Sequence, residues 1–463
     1  MDLIIVLGAL ALLLIAAYRG YSVILCAPLA ALLAVLLTQP ALVAPVYSGL
    51  FMDKMVLFLR LYFPVFLLGA VFGKVMETSG FSSAIAKGVV ELIGRKRAMH
   101  SVVLVAAMLT YGGVSLFVVV FAVYPIAARL FKELNVPKRL IPGAIALGAF
   151  SFTMDALPGT PQIQNVIPAP FFKTDIWAAP WLGVIGSVFI AVCGVLYLER
   201  RRRQALAAGE GYGNHTLNEV AGAGDERLPN PLVALIPLAI VPILSRVLTN
   251  LIPRFYGDTY ALSLPGISGS LSVDVAKSSA IWALSASLLV AIVVTCLLRL
   301  RSIGAGLAEH LKTAVSGSLL ASMNTASEYG FGAVISSLAG FAVVAHALKA
   351  IPNPLISEAI TVTSLAGITG SASGGLSIAL AAMGDTFVAT AQAAGIPLQV
   401  LHRVASMASG GLDTLPHNGA VITLLAVTGL THRESYRDIF AVTCIKTVAV
   451  FVVIGIYVWL GIY

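Results

Sequence analysis

The chain has 463 residues, of which 59% are apolar and only 11% are charged, and its formal net charge is +8. Soluble proteins average about 45–50% apolar and about 25% charged residues, so a chain of this composition could not cover its apolar surface in water. The basic residues stand in short clusters at the ends of apolar stretches, which is typical of membrane loops and not of a nucleic-acid-binding face. We therefore expect an all-α polytopic membrane protein in the lipid bilayer, with no nucleic-acid partner.

Long apolar stretches are predicted to span the bilayer, because each, with its flanks, is long enough to cross a hydrocarbon core of about 30 Å. They are residues 3–17, 56–72, 182–198, 232–248, 281–298 and 439–460. A polar stretch at 199–229 divides the chain and begins with a run of arginines, which predicts a cytoplasmic linker. The predicted domains are therefore a first repeat at 1–198 and a second repeat at 230–463.

Basic clusters lie on both sides of a segment at about 100–131. This placement predicts that the segment enters and leaves the membrane on the same side, as a re-entrant hairpin with a Gly-rich tip at 111–115. A single kinked spanning helix is the alternative. With a hairpin, the first half has five spans, and an odd number of spans means that a second copy would insert upside down.

The two halves share landmarks in the same order at an offset of about 260 residues. The matched pairs are Phe72-Gly73 with Phe331-Gly332, Gly112-Gly113 with Gly374-Gly375, and Asp155-Ala156-Leu157-Pro158 with Asp413-Thr414-Leu415-Pro416. We therefore predict two inverted-topology repeats, each with about five transmembrane helices, a hairpin and a broken helix. The broken helices are predicted at about 138–170 and 397–428, and the second hairpin at about 357–392.

Asp155 and Asp413 are the most informative residues, because an aspartate within an apolar helix costs roughly 2.5–3.5 kcal/mol even on lenient insertion scales. A proline follows each aspartate three residues later and should break the helix there. A broken helix frees backbone N–H groups that can bind an anion. The alternative is that each aspartate only caps the second half of its helix.

The tips and breaks are predicted to bind a small anionic substrate. The predicted binding residues are Tyr111, Gly112, Gly113, Ser115, Thr153, Gly159, Thr160, Gln162, Asn165, Ser371, Ser373, Gly374, Gly375, His417 and Asn418. Asp155, Asp413 and Glu328 are predicted to carry the coupling proton. Three alternatives remain: the glycine and serine runs are close helix contacts, His417 is structural, and Glu328 faces water at a span end. Arg403 is predicted to lie near the membrane interface, and pairing with an acid or contact with the substrate is the alternative.

Three segments, NVP at 135–137, DALPGTP at 155–161 and LPHNGAVI at 415–422, carry a resemblance to a known family. The chain resembles the gluconate permease family of bacterial proton symporters, within the wider ion-transporter superfamily. The resemblance implies proton-coupled uptake of an organic acid across the bacterial inner membrane, by alternating access in a homodimer, with an elevator-like movement by analogy.

The first break departs from the gluconate carriers, which have a histidine- and proline-rich segment there. The chain has Asp155 and the polar segment 162–165 instead, and it is more similar to the 3-hydroxybutyrate permease branch. That similarity implies a short hydroxy monocarboxylate as substrate. A sodium-coupled citrate or dicarboxylate carrier is the alternative.

Other functional classes fit the sequence poorly. The four cysteines have no metal-ligand spacing, and neither HExxH, GxSxG nor GxxxxGK[ST] occurs. We therefore expect no enzyme activity, no cofactor and no metal site. A channel would line a continuous pore, whereas two hairpins inserted from opposite faces favour a transporter.

Overall fold

The computed structural model describes residues 2–19, 21–94, 97–215, 228–263, 271–303, 306–349, 351–416 and 418–463. The helices of the first half are α1 Asp2–Tyr18, α2 Val23–Thr38, α3 Val43–Pro45, α4 Met52–Thr78, α5 Phe81–Ile93, α6 Ala98–Tyr111, α7 Leu116–Glu133, α8 Ile141–Ala149, α9 Phe152–Asp155, α10 Ile163–Val166, α11 Pro168–Phe172 and α12 Pro180–Ala207. Short 3-10 and π turns at Pro40–Leu42 and Val46–Phe51 join α2 to α4, and a 3-10 turn at Lys138–Leu140 precedes α8.

The second half contains a small hairpin of strands between its first two helices. Its helices are α13 Pro231–Tyr256, α14 Val275–Leu298, α15 Leu300–Ile303, α16 Leu307–Ser337, α17 Ala339–Lys349, α18 Pro354–Thr369, α19 Ala372–Ala393, α20 Leu398–Ser409, α21 Gly419–Thr428 and α22 His432–Leu460. Strands β1 Thr259–Leu262 and β2 Leu271–Asp274 pair antiparallel, with Thr259 opposite Asp274.

Six helices among the described residues are long and apolar enough to cross a membrane. They are Pro40–Thr78, Pro180–Ala207, Pro231–Tyr256, Val275–Leu298, Ala372–Ala393 and His432–Leu460. Five of the stretches predicted to span lie within this set, and the stretch at 3–17 forms α1. The predicted all-α polytopic membrane protein is therefore confirmed.

Each of the two predicted hairpin segments consists of two helices joined by a short turn. In each segment the two limbs, α6 with α7 and α18 with α19, pack against each other, which one kinked spanning helix would not do. Each turn contains a glycine with left-handed backbone, Gly113 at φ +98° and Gly370 at φ +64°, a conformation that a residue with a Cβ rarely adopts. The re-entrant course stays a prediction, since α19 is itself long and apolar enough to cross the bilayer.

Several contacts between two helices have a counterpart between the corresponding helices of the other half of the chain. Helix α4 packs on α14 and α16 on α2, α1 packs on α17 and α13 on α5, and α6 packs on α8 and α18 on α20. Across the middle, α4 packs on α16 and α12 on α22. Such a correspondence is what a two-fold relation between repeats requires. The opposite orientation of the halves in the membrane stays a prediction.

Helix α12 continues past residue 199, the predicted start of the linker, and ends at Ala207. Glu199 stabilises this end because it accepts hydrogen bonds from Arg202 at 2.8 and 2.6 Å and from Arg203 at 3.1 Å, one helical turn away. The basic run therefore belongs to the end of a helix, and the linker begins at Ala208. Residues 216–227 of the predicted linker lie outside the described residues.

The first part of the linker folds back on the entry to the first broken helix. Glu210 accepts two hydrogen bonds from Arg139, at 2.6 and 2.7 Å. Arg139 also lies 3.4 Å from the buried Asp438 on α22, which accepts from Arg201 on α12 at 2.8 Å. These ion pairs tie the linker, α12 and α22 to the start of α8.

Acid is expected to weaken this attachment. The guanidinium of Arg139 lowers the pKa of Glu210 below its usual value, so the pair stabilises the fold above the unfolded carboxyl pKa of about 4.3 and its contribution is lost as pH falls through the lowered folded value. Because Glu210 is 40% exposed, the effect is small. We expect the acid-induced drop in Tm between about pH 6 and about pH 3 to be on the order of 1–2 °C smaller in Glu210→Gln than in the parent.

The control for this measurement is Glu309→Gln, which removes an exposed pair with Lys312 at 3.7 Å and should leave the acid-induced drop at the parent value. An equal drop in Glu210→Gln and the parent would show that the linker contact adds nothing to stability. Scanning fluorimetry of the detergent-solubilised protein measures both.

Candidate functional site

The first hairpin tip is held to the first helix break by side chains from both sides. Gln162, just after the break, donates from Nε2 to the carbonyl oxygens of Thr110 at 2.7 Å and Val114 at 3.2 Å. In return, the hydroxyl of Tyr111 at the tip donates to the carbonyl of Pro158 at 3.0 Å. The predicted residues Tyr111 and Gln162 therefore meet at one tip–break contact.

The second tip is held to the second break by Asn418. Its Nδ2 donates to the carbonyl of Gly370 at 2.6 Å, and its Oδ1 accepts from the backbone N–H groups of Ala420 and Val421 at 2.6 and 3.0 Å. Asn418 thus caps the N-terminus of α21, so the alternative in which Asp413 supplies that cap is wrong. The neighbouring His417 lies outside the described residues.

Several predicted binding residues donate hydrogen bonds to backbone carbonyls within the first break. Thr153 donates to the carbonyl of Gly148 at 2.5 Å, Thr160 donates to the carbonyl of Thr153 at 2.7 Å, and Asn165 donates to the carbonyl of Thr160 at 2.9 Å. All three side chains are buried. They satisfy carbonyl groups that the broken helix leaves without N–H partners, and so give the break its shape.

The glycines of the tips and breaks sit where a side chain would collide. A Cβ on Gly112 would overlap Leu238 of α13, and one on Gly375 would overlap the backbone of Ala366 in the other limb of the same hairpin. Gly159 has φ +84°, and a Cβ there would lie 2.6 Å from Trp177. Close packing therefore accounts for Gly112, Gly159 and Gly375. Gly113 has the left-handed turn described above, and Ser115 precedes α7 without capping it through its side chain.

The predicted position of Arg403 at the membrane interface is wrong. Its side chain is fully buried. From α20 of the second repeat it donates to the carbonyls of Ala178 at 2.8 and 3.1 Å and Asp155 at 3.2 Å, and to Oδ1 of Asn165 at 3.0 Å. The break in the first repeat leaves carbonyl oxygens in the buried interior, and the guanidinium fork that α20 brings there matches several of them at once.

Lys446 is a site residue that sequence reasoning missed. It lies on α22 within a predicted span, is 1% exposed, and forms a buried ion pair with Asp413 while its Nζ donates to the carbonyl of Phe150 at 2.9 Å. A lone lysine inside an apolar span was the available signal, because such residues are rare and usually functional. Lys446 thus joins the second break, by Asp413, to the first, by Phe150.

Asp155 is the buried acid of the first break. It is 1% exposed, and its Oδ2 has no hydrogen-bond partner among the described residues. A Cβ on Gly410 would overlap that oxygen, and the hydroxyl of Ser406 donates to the carbonyl of Asp155 at 2.7 Å. The two breaks therefore meet at a buried cluster of two aspartates, Arg403 and Lys446, whose formal charges sum to zero.

Glu328 lies apart from this cluster, on α16. It is 4% exposed, so the alternative in which it faces water at a span end is wrong. A Cβ on Gly374 would overlap its carboxylate, and the neighbouring Ser371 accepts from the N–H of Gly374 at 3.0 Å. The predicted residues Glu328, Ser371 and Gly374 are therefore brought together at the second tip, with Ser373 between the last two.

No family model matches the sequence. The uncharacterized transporter YxjC of Bacillus subtilis (strain 168) is 55% identical over 466 residues, covering 99% of this chain and 99% of that protein. The chain belongs to the family of this transporter. It is therefore a multi-pass membrane transporter.

Two solved structures resemble the fold of this transporter. The YdaH transporter of Alcanivorax borkumensis has a TM-score of 0.51 and 16% identity, covering 92% of this chain and 90% of that chain. MtrF of Neisseria gonorrhoeae, described as illuminating a class of antimetabolite efflux pumps, has a TM-score of 0.49 and 14% identity, covering 88% of this chain and 84% of that chain. The likeness to YdaH supports a transporter fold.

Proposed function

We propose that this transporter couples the uptake of a small organic hydroxycarboxylate, such as 3-hydroxybutyrate or gluconate, to the entry of protons across the bacterial inner membrane. The observation that carries the proposal is the buried cluster at which the two helix breaks meet, with a hairpin tip bonded to each break. Discontinuous helices that meet in this way form the substrate and ion sites of many secondary transporters.

The resemblance to the gluconate permease family supports the substrate class and the proton, and it also implies a homodimer and alternating access. Amide, hydroxyl and backbone N–H groups at the tips and breaks suit carboxylate and hydroxyl oxygens. Within the cluster, Asp155 is the better proton carrier, because Asp413 is already neutralised by Lys446 whereas Oδ2 of Asp155 has no partner among the described residues.

Sodium-coupled transport of a citrate or dicarboxylate is the second candidate function. One observation favours it: Oδ1 of Asn324 and Oγ of Ser327, both on α16, have no hydrogen-bond partner among the described residues. Neutral oxygen atoms of this kind suit an alkali cation.

The test is uptake of labelled 3-hydroxybutyrate into proteoliposomes under an inward proton gradient or an inward sodium gradient, imposed separately. We expect accumulation under the proton gradient in the parent and a fall of about tenfold or more in Asp155→Asn. Asp53→Asn, an exposed aspartate of α4, is the matched control and should behave like the parent. Uptake that ignores the proton gradient, or that survives in Asp155→Asn, would contradict the proposal.

A further inference from the structure

Residues 322–328 of helix α16 form a polar stripe, whereas the corresponding residues of α4 in the first repeat are apolar. The pair Phe331-Gly332 matches Phe72-Gly73, which aligns SMNTASEYGFG at 322–332 with FPVFLLGAVFG at 63–73. Five polar residues stand where the first repeat has apolar residues or glycine: Ser322 for Phe63, Asn324 for Val65, Thr325 for Phe66, Ser327 for Leu68 and Glu328 for Gly69. Polar groups are costly within a membrane, so their presence on α16 and not on α4 requires a reason.

The stripe faces the second hairpin. Three contacts run in register along α16 and α19: the hydroxyls of Thr325 and Ser373 lie 3.4 Å apart, a Cβ on Gly374 would overlap the carboxylate of Glu328, and a Cβ on Gly332 would lie 2.9 Å from Ile378. Ser377 lies one turn beyond Gly374 on the same limb. The tip of this hairpin therefore covers Glu328.

Three side-chain oxygen atoms of α16 and α19 have no hydrogen-bond partner among the described residues. They are Oγ of Ser327, Oγ of Ser377 and Oδ1 of Asn324. Both serines are fully buried, and an unpartnered buried polar group costs about 1–3 kcal/mol. A carboxylate with hydroxyl and amide oxygens is a donor set that suits a hard cation.

The charge of Glu328 is not balanced within the described part of the chain. Asp155 and Asp413 are accompanied by Arg403 and Lys446, but no ion pair or hydrogen bond to Glu328 is formed by the titratable side chains of α16 and of the segments that pack on it. Those side chains are Cys26 on α2, Tyr47 before α4, Asp53, Lys54, Arg60, Tyr62, Lys74 and Glu77 on α4, Glu309, His310, Lys312 and Tyr329 on α16, His346 on α17 and Asp385 on α19. A buried carboxylate of this kind is neutralised either by a proton or by a bound metal cation.

We propose that Glu328, with the oxygens of Asn324, Ser327 and Ser377, is the site of a coupling cation, and that the second hairpin covers it. The inference rests on the proposed function, and it adds a cation site on α16 to the proton carrier proposed at Asp155. A proton and a sodium ion both neutralise the carboxylate. Only a sodium ion uses the three neutral oxygens as well, because it must replace its hydration shell.

Cation binding is measured without any substrate, by thermal unfolding of the detergent-solubilised protein in sodium chloride against choline chloride, and across pH. We expect the parent to be stabilised by sodium or by acid, and Glu328→Gln to lose that cation-dependent rise in Tm, because glutamine has the shape of the protonated acid without its charge. Glu328→Asp, which keeps the charge, should retain the response with a shifted half-saturation. A response that is the same in the parent and in Glu328→Gln would overturn the proposal.

The matched control is Glu358→Gln. Glu358 on α18 is also fully buried, and neither of its carboxylate oxygens has a partner among the described residues, but it lies outside the contact of α16 with α19. It should keep the cation response. Loss of the response in Glu358→Gln alone would assign the cation to that residue and overturn the proposal.

Ser327→Ala and Ser377→Ala distinguish a bound sodium ion from a bound proton. If sodium is bound, each variant should raise the sodium concentration for half-maximal stabilisation by about five- to tenfold, while a proton response would not move. A shifted sodium response supports the site as proposed, whereas a response that neither variant moves would overturn the part of the two serines and leave a proton on Glu328 alone.

Uptake completes the test in the same proteoliposomes. Glu328→Gln should keep exchange of labelled for unlabelled 3-hydroxybutyrate but lose gradient-driven accumulation by about tenfold or more. If the parent takes up no 3-hydroxybutyrate while Glu328 still controls the cation response, the proposed substrate fails and the cation site stands.

Discussion

Replacing Lys446 with methionine is expected to destabilise this transporter more than any exposed substitution. The change leaves the carboxylate of Asp413 buried without its partner and removes the donor to the carbonyl of Phe150. Breaking one side of a buried ion pair costs roughly 3–5 kcal/mol. We expect Tm in detergent to fall on the order of 10 °C, with loss of uptake.

The double variant Lys446→Met with Asp413→Asn isolates the cause. Because it removes both charges, it should recover a large part of the lost Tm. Lys312→Met is the exposed control, since Lys312 and Glu309 are 75% and 77% exposed, and it should change Tm by no more than about 1 °C. If Lys446→Met is as stable as Lys312→Met, the buried pair does not hold the two breaks together.

Replacing Arg403 with lysine is expected to abolish uptake although the charge is kept. The guanidinium serves the carbonyls of Ala178 and Asp155 and the amide of Asn165 from one planar fork, and a lysine ammonium cannot reach all three. Each lost hydrogen bond to a charged donor is worth about 1.5–3 kcal/mol. We expect uptake to fall at least about tenfold and the first break to become accessible to solvent.

Hydrogen–deuterium exchange of peptides covering 150–162 distinguishes this local effect from general unfolding. In Arg403→Lys, exchange should rise in the break while α14, which lies outside the cluster, stays at the parent rate. Arg433→Lys, an exposed residue at the start of α22, is the matched control. Parent-like exchange at 150–162 in Arg403→Lys would contradict the role assigned to the guanidinium.

The sequence identified the two aspartates but not their partners. Asp155 and Asp413 could be found because an acid next to a proline in an apolar segment is unusual, and because the same pattern recurs in the other half. Arg403 and Lys446 carry no such pattern. Which carbonyl or carboxylate each one meets depends on how α20 and α22 pack across the two repeats, at sequence separations of 248 residues for Arg403 to Asp155 and 296 for Lys446 to Phe150.

The burial of Glu328 could not be predicted from the sequence either. Its position in the sequence suited a water-facing span end equally well, because a helical pattern does not say which neighbour covers a residue. Only the packing of the second hairpin on α16 buries it against Gly374. The comparison with Val65, Phe66, Leu68 and Gly69 of the first repeat was nevertheless available in the sequence, and it marks the stripe as unusual before any contact is known.

The amino-acid sequence by itself determined that this protein is a membrane protein of apolar helices, with a hairpin segment and a helix break in each half, because composition, apolar length, proline and glycine act locally along the chain. The tertiary structure alone decided that Asn418 rather than Asp413 caps α21, that Arg403 is buried, and that the four charges of the cluster balance. These depend on long-range packing, in which buried carbonyls and carboxylates require whichever donor the neighbouring helix brings to them.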